Sequence, residues 1–306
     1  MPIQSVVGGA WADILDPIVK FNAMKGFGRR PSLIRALFNV QTSSRAYEDV
    51  SGVGVISPDS WGNYAESGRV SEADLDQGYK KRYTHVEYPL DFSVERKTID
   101  DGDFPSVVRL TDRIGDSANV KREYDAASVF NNAFSGSFLG ADGVALCSNS
   151  HPFSPQKTGS TQDNNFTLQL NAANLRTIRE AMMAFTDDAG SPLAVTPNTL
   201  LVPPALEDTA RVLVSSMQEA GTANNDINPH QGRFSVVTWH YLTDSNAWFM
   251  IDSNLMKMYL EWFDRVPFSV NLREGDDRTL RSWWRAYMRY SYGFSGWQWI
   301  AGSNPS

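Results

Sequence analysis

Cys147 and His151 are the residues whose types and spacing come nearest to a catalytic pair. A cysteine thiolate beside an imidazole can act as a nucleophile. Cysteine nucleophiles and their histidines, however, normally come together from distant positions in a sequence. The local sequence also offers no helix N-terminus that would lower the pKa of the thiol. We therefore interpret Cys147 as a small buried hydrophobe and His151 as a residue that caps or hydrogen-bonds a turn before Pro152.

The other chemistry-bearing residues indicate neither a metal site nor a cofactor site. A single cysteine excludes a cysteine-rich metal site and an internal disulfide framework. The sequence also lacks the GxSxG, Walker and Rossmann patterns. No HxH, HExxH or CxxC spacing involves the four histidines, His85, His151, His230 and His240. Acidic pairs lie in turn contexts and are interpreted as solvated: Asp100-Asp101, Asp187-Asp188 and Asp276-Asp277. We predict a protein that is not an enzyme and that has no metal and no cofactor.

The composition is that of a globular protein with an acidic charge balance. The 306 residues are 42% hydrophobic and 21% charged, which provides for a sizeable core and excludes wholesale disorder. A net charge of −7 argues against a dedicated nucleic-acid-binding domain but not against a protein that surrounds nucleic acid. The sequence lacks a signal-peptide pattern, and no apolar run approaches about 18 residues. We therefore expect a protein made in a reducing cytoplasm, with no membrane partner.

The stretch from Asp103 to His151 organises the chain. Asp103 followed by Pro105 is a helix start signal, and the pattern ends at Gly136. The spacing predicts one long helix over 105–134, about 45 Å in length, which we interpret as a strut. Its apolar face repeats mostly at three- or four-residue steps through Ile114, Val120, Tyr124, Ala127, Phe130 and Phe134. Its polar side is expected to carry Lys121, Arg122, Glu123 and Asp125.

The first 95 residues predict two extended features. Residues 1–50 are expected to form an extended arm with one or two short helices, because Asp16-Pro17 interrupts the first apolar patch. Such an arm buries its apolar residues on a partner; the alternative is a poorly ordered tail. Alternation of apolar and polar residues over 79–94 then predicts a long projecting hairpin with a charged tip at 71–74. Projecting hairpins usually reach a partner or a ligand.

The second half of the chain predicts a compact α/β module between longer elements. Asn171 is expected to cap a helix that runs to Phe185. The module comprises a buried strand at 199–202, a helix at 205–219 and strands at 234–239 and 247–252, with a loop at 222–232. From Met256 onward, long alternating strands follow, with Met258 on the side of Leu260 and Trp262. Much of this architecture cannot pack within one monomer, so we expect obligate assembly.

Several motifs, in this order, resemble tailed-phage major capsid proteins of the HK97 fold, and most closely the Mu-like major head subunit group. In the first half these are Glu95-Arg96-Lys97, the helix end Ser128-Val129-Phe130-Asn131-Asn132-Ala133-Phe134, Asp142-Gly143, Leu146-Cys147-Ser148 and His151-Pro152. In the second half they are Leu200-Leu201-Val202-Pro203-Pro204, Asn224-Asn225, Asn228-Pro229, Gly232-Arg233-Phe234 and Tyr241-Leu242-Thr243-Asp244. The similarity covers about residues 45–300.

The resemblance implies an α+β fold with a defined domain map. Residues 1–50 would be the N-terminal arm and 51–95 the extended E-loop hairpin. The peripheral P-domain would comprise 96–195 and 257–306, with the spine helix at about 104–135. The small axial A-domain would be 196–256.

The resemblance also implies a role in the virion. Subunits would form the pentamers and hexamers of an icosahedral shell around double-stranded DNA, after assembly in the host cytoplasm. Scaffolding, portal and decoration proteins would be partners, with scaffolding supplied as a separate protein. The candidate subunit-contact residues are Arg29, Arg30, Trp61, Lys80, Lys81, Asn224, Asn225 and Asn228.

Two alternatives remain open from the sequence alone. In the same fold, the chain resembles the shell proteins of encapsulin-like bacterial nanocompartments, which enclose protein cargo instead of DNA. In a different class, a hydrolase would use Cys147 or His151.

Overall fold

The computed structural model describes residues 9–56, 60–61, 72, 77–155, 161–218, 227–273 and 280–305, with the backbone alone for 9–14. The helices are α1 (Gly9–Phe27), α2 (Ile34–Leu37), α3 (Arg96–Asp100), α4 (Phe104–Asn131), α5 (Ala172–Met183), α6 (Glu207–Ser215) and α7 (Ser253–Tyr259). The strands are β1 (Asn39–Thr42), β2 (Tyr47–Val53), β3 (Gln77–Thr84), β4 (Val86–Glu95), β5 (His151–Pro152), β6 (Thr161–Gln162), β7 (Asn165–Phe166), β8 (Thr199–Val202), β9 (Ser235–Thr238), β10 (Trp248–Ile251), β11 (Leu260–Arg273), β12 (Arg281–Phe294) and β13 (Ile300–Ser303). No helix among these residues is both long and apolar enough to span a membrane.

The α/β module is a five-stranded sheet in the order β7-β13-β10-β8-β9. Every residue of β8 is buried, as the uninterrupted apolar run at 199–202 predicted, and every residue of β10 is buried as well. Successive side chains of a strand point to opposite faces. Leu200, Val202, Trp248 and Met250 therefore pack with the helices α5 and α6. Their neighbours Leu201, Phe249 and Ile251 pack in the other core, which contains the long helix α4.

The second sheet has four strands in the order β1-β11-β12-β4. The two central strands, β11 and β12, are each 14 residues long and antiparallel, which confirms the long strands predicted for the chain after Met256. One prediction here is wrong, because α7 is a helix and its Met258 is 64% exposed instead of sharing a strand face with Leu260 and Trp262. Asp252 caps this short helix by accepting hydrogen bonds from the backbone of Asn254 and Leu255.

The long helix is confirmed as α4, 28 residues in length. The Asp103 side chain caps its start by accepting a hydrogen bond of 3.2 Å from the backbone nitrogen of Ser106. The helix ends at Asn131, three residues before the predicted end, and Phe134 lies in the turn that follows. Phe130 is 1% exposed and contacts the rings of Trp239, Phe249 and Trp299.

The predicted polar side of α4 is wrong in the C-terminal half of the helix. Arg122, Glu123 and Asp125 are all buried, because the helix is covered on more than one side. Lys121 remains partly exposed and pairs with Asp125 at 2.5 Å. Burial of charged residues cannot be recognised from apolar periodicity, since each of these side chains is accommodated by a specific partner from a distant part of the chain.

The prediction of an extended arm is wrong for the N-terminal segment from Gly9 to Phe27. This segment is the 19-residue helix α1, with Pro17 inside it. Its residues Leu15, Val19 and Ala23 are fully buried within the chain, so these apolar residues need no partner subunit. The helix lies directly against α4, where a Cβ added to Gly115 would collide with the backbone of Ala23.

The predicted hairpin exists but divides into two structural parts. β2 pairs with β3 in antiparallel register from Tyr47–Thr84 onward. At His85 the chain leaves this ribbon, and β4 joins the four-stranded sheet beside β12. Of the predicted tip at 71–74, only Glu72 lies among the described residues. The helix predicted over 205–219 is shorter than expected, since α6 ends at Ser215.

We predict that the contact between α1 and α4 does not tolerate a side chain at Gly115. In a helix, Gly→Ala normally stabilises by up to about 1 kcal/mol. Gly115→Ala should instead lower the free energy of unfolding by about 2 kcal/mol, because the colliding atoms belong to the backbone of Ala23 and Phe27. Chemical denaturation of the unassembled subunit measures this difference. Gly136→Ala is the control, because a Cβ there meets nothing within 4 Å; equal stabilities of the two variants would contradict the close packing.

Candidate subunit-contact site

Cys147 and His151 are structural residues, as the sequence predicted. Cys147 is 2% exposed, and burial raises the pKa of its thiol far above the usual range. His151 is fully buried, with Nδ1 at 2.7 Å from the Asp142 carboxylate and Nε2 at 3.1 Å from Oδ1 of Asn164. The ring also stacks on Trp297 at 4.4 Å. Because its ring nitrogens are taken up by these partners, His151 fixes the segment after α4 instead of activating a nucleophile.

The described residues contain no group of three or more His, Cys, Asp or Glu side chains positioned to hold a metal ion. Candidate functional residues are therefore to be sought on surfaces, where other molecules can reach them.

Arg29 and Arg30 pair with the long helix of their own chain. Arg29 forms an ion pair with Asp112, and Arg30 contacts both carboxylate oxygens of Asp116 at 2.5 and 2.9 Å. The guanidinium group of Arg30 holds the pKa of Asp116 below its usual range. Both arginines remain about half exposed and so stay available to a second molecule. Their role as subunit contacts stays a prediction.

Lys80 and Lys81 point to opposite sides of β3, as neighbours in a strand must. Lys80 Nζ lies 3.0 Å from Asp49 on β2, and Arg82 contacts the same carboxylate at 2.7 Å. Hydrogen bonds from Arg82 and Lys80 hold the pKa of Asp49 far below its usual range. Lys81 Nζ instead donates a hydrogen bond to the carbonyl of Leu139 at 2.6 Å, and burial lowers the pKa of Lys81. Both lysines thus stabilise the hairpin, and a contact with another subunit stays a prediction.

Asn228 has a role within its own chain. It is 6% exposed, and its Nδ2 donates to the carbonyls of Leu213 and Ser216 at 2.7 and 2.9 Å. These carbonyls lie at the C-terminus of α6, where backbone acceptors lack partners within the helix. Its Oδ1 accepts from the backbone of His230 at 2.9 Å. The other two asparagines proposed from the sequence, Asn224 and Asn225, lie outside the described residues.

Trp61 is 85% exposed, the most exposed large apolar side chain among the described residues. An exposed indole has a large apolar surface that remains in contact with water unless another molecule covers it. Other strongly exposed apolar residues were not identified from the sequence: Phe21, Met217, Ile227 and Leu280. The exposure of Phe21 could have been recognised from the sequence, because Ile18, Phe21 and Met24 recur at three-residue steps on α1 beside its buried face.

The root of the hairpin holds a buried acidic residue that sequence reasoning missed. Tyr83 of β3 is 3% exposed and packs on Phe263 at 5.3 Å between ring centroids. Its ring lies so close to Gly293 that a Cβ there would be 2.9 Å away, and Gly293 has a φ of +155°. Glu261, 5% exposed, lies beside Tyr83, and burial raises the pKa of Glu261 from 4.5 to about 7. A carboxyl group of this kind makes the hairpin root sensitive to pH.

A second buried contact at the root joins four segments of the chain. His85 lies between Ser43 at 3.0 Å and Ser291 at 2.9 Å, and the Ser43 hydroxyl donates to Glu48 at 2.6 Å. Burial lowers the pKa of His85, and the nearby charges of Arg289 and Arg265 act in the same direction. The neutral imidazole is therefore favoured at the point where β3 passes into β4.

Comparison with known proteins places this fold among capsid proteins. The model of the phage capsid protein family matches residues 78–302. The decorated capsid of bacteriophage JBD30 is similar, with 16% identity and a TM-score of 0.56 over 70% of this chain and 92% of that chain. The capsid of cyanophage P-SCSP1u has 10% identity and a TM-score of 0.59 over 90% and 89%. A virus-like particle from Pyrococcus furiosus has 11% identity and a TM-score of 0.54 over 94% and 98%.

A search of curated protein sequences found no match. At these identities the structural similarities establish the fold, and the HK97-like α+β class expected from the sequence is confirmed.

We predict that Glu261 makes the subunit less stable as the pH rises. Its pKa in the folded chain lies above the unfolded value, so the folded state binds more protons in the window between 4.5 and about 7. The contribution of Glu261 to the free energy of unfolding is therefore fully present below pH 4.5. It is lost as the pH rises to about 7, by up to about 3 kcal/mol. Chemical denaturation of the unassembled subunit from about pH 5 to about pH 8 measures this loss. Glu261→Gln should flatten the profile.

The control for this prediction is Glu95→Gln, which removes an exposed carboxyl group that pairs with Arg281. This variant should keep the pH profile of the original chain. If Glu261→Gln loses as much stability between acidic and alkaline pH as the control does, then Glu261 is not the group responsible.

Proposed function

Because this chain belongs to the phage capsid protein family and is a major capsid protein, we propose that it forms the icosahedral head of a tailed bacteriophage or prophage. It is a structural protein of the virion and not an enzyme. In the proposed head, pentamers and hexamers of the subunit enclose double-stranded DNA after assembly in the host cytoplasm. The observation that carries the proposal is the family match over 78–302, which covers most of both sheets and α4.

The proposed domain map follows the elements of the fold. The spine helix is α4, and the E-loop is the ribbon of β2 and β3 with the residues between them. The five-stranded sheet and α6 correspond largely to the proposed A-domain at 196–256. Three elements that belong with this sheet, β7, β13 and α5, come from the proposed P-domain segments. A placement within the Mu-like group is supported by the ordered motifs of the sequence.

The net negative charge of the chain supports a protein that encloses DNA more than one that binds DNA tightly. A net charge of −7 disfavours tight phosphate binding, and a packaged genome has to move in and out of its shell. Scaffolding, portal and decoration proteins are the proposed partners. The encapsulin-like alternative is not favoured, because the matching family model is that of phage capsid proteins.

We predict that the purified protein assembles into closed particles tens of nanometres across. Electron microscopy of negatively stained particles, followed by image reconstruction, should show five-fold and six-fold capsomers. A chain that stays monomeric under all conditions of concentration and salt would contradict the proposal. Particles from the native source that contain protein cargo and no DNA would favour the nanocompartment alternative.

We further predict that Trp61 contributes to assembly and not to folding. Since the side chain is 85% exposed, Trp61→Ala should change the free energy of unfolding of the subunit by less than about 0.5 kcal/mol. The yield of particles should fall severalfold, because an apolar contact between subunits is lost. Trp61→Phe should restore most of the yield. Equal particle yields from all three proteins, measured by sedimentation, would show that Trp61 is not a contact.

A further inference from the structure

Three arginines lie together on the outer part of the five-stranded module. Arg176 and Arg179 belong to α5, and Arg233 lies just before β9. All three are close to His230: burial is the main cause that lowers the pKa of His230, and the charges of the three arginines lower it further. Such a concentration of positive charge is unusual in a chain with a net charge of −7.

None of the three guanidinium groups has an ion-pair or hydrogen-bond partner among the described residues. The Nε of Arg179 is buried and lacks a partner among those residues. This contrasts with Arg30 and Arg82, each of which contacts both oxygens of a carboxylate within the chain. A buried guanidinium donor without an acceptor is energetically unfavourable, which points to an acceptor supplied from outside these residues.

The carboxylate of Asp252 is not available to these arginines. Its Oδ2 accepts from the backbone of Thr196 at 2.7 Å, and its Oδ1 accepts from Asn254 at 2.9 Å. Both oxygens therefore accept hydrogen bonds from the backbone, and neither contacts a guanidinium group of the three arginines.

A cavity of about 240 Å³ opens beside the cluster. Arg179 and Arg233 line it together with Thr196 and Asn198, and Met183 and Phe234 add apolar surface. The two guanidinium groups of this cavity can bind a carboxylate in a planar, bidentate manner. Its apolar lining fits a short aliphatic stem. An aspartate or glutamate side chain has both parts. A DNA duplex is a wide rod whose phosphates would meet a concave site of this size only at its rim.

We propose that this cavity binds a carboxylate side chain from a neighbouring copy of this chain. The inference rests on the proposed function, because assembly into a shell brings acidic copies of the subunit side by side. The arginines then serve as a charged contact between adjacent modules, which orients neighbouring subunits more than it adds affinity.

Zero-length crosslinking tests the proposal in assembled particles. Arg179→Lys and Arg233→Lys are prepared separately as mixtures of isotope-labelled and unlabelled subunits. A water-soluble carbodiimide converts a carboxylate into an O-acylisourea. The lysine Nζ attacks its acyl carbon, which forms an amide and releases a urea, and mass spectrometry then identifies the partner residue. The proposal expects a new crosslink at position 179 or 233 that joins labelled with unlabelled chains.

Arg211→Lys is the matched control, because Arg211 lies on α6 of the same module and pairs with Glu207 of its own helix at 2.8 Å. It should give a crosslink only within one chain. Crosslinks at 179 and 233 that stay within one chain, or no new crosslink there while the control reacts, would overturn the proposal. An original chain that forms no particles overturns the proposed function and this inference together.

A second variant separates contact from folding. Arg179→Gln combined with Arg233→Gln should leave the melting temperature of the unassembled subunit unchanged while particles dissociate at a lower concentration of guanidinium. Arg211→Gln should leave both unchanged. If the double variant dissociates at the same guanidinium concentration as the original, the cavity does not hold subunits together.

Discussion

The structure depends on the burial of charged residues in the C-terminal half of α4. Glu123 accepts hydrogen bonds from Ser32 at 2.6 Å and from the Trp239 indole at 3.0 Å. Its neighbours behave likewise, since Arg122 pairs with Asp264 at 3.0 Å and Asp125 accepts from the Tyr290 hydroxyl at 2.6 Å. Charges buried in this way are tolerated only with their partners in place, and loss of one partner typically costs about 3–5 kcal/mol. These contacts therefore fix β11, β12 and the segment after β9 to a single helix.

This arrangement suits a shell subunit. One helix that joins two sheets gives a framework whose parts cannot move independently, and the exposed features extend from it. The hairpin leaves the framework at Tyr83 and His85, where its root is buried against β11 and β12. The outer face of α1 displays Ile18 and Phe21 to solvent, next to residues that pack on α4.

The charge pattern differs between the hairpin with the four-stranded sheet and the region around α5. Most arginines of the hairpin and the four-stranded sheet have carboxylate partners in the chain, such as Arg82 with Asp49 and Arg285 with Asp91. In the α5 region, Arg179 and Arg233 have none among the described residues. Because surface pairs contribute little to folding stability, this difference has little effect on the stability of the subunit.

The sequence by itself determined the long helix, the buried strand at 199–202, the strand at 248–251, the long strands of the C-terminal part and the burial of Cys147. These features depend on periodicity, capping residues and local composition, which act over short stretches of chain. Only the tertiary structure decided that α1 packs on α4 through Gly115, that Arg122 and Glu123 are buried, and that Glu261 lies under Tyr83. The physical reason is that these environments are created by residues far away in the sequence, and local sequence patterns do not identify those partners.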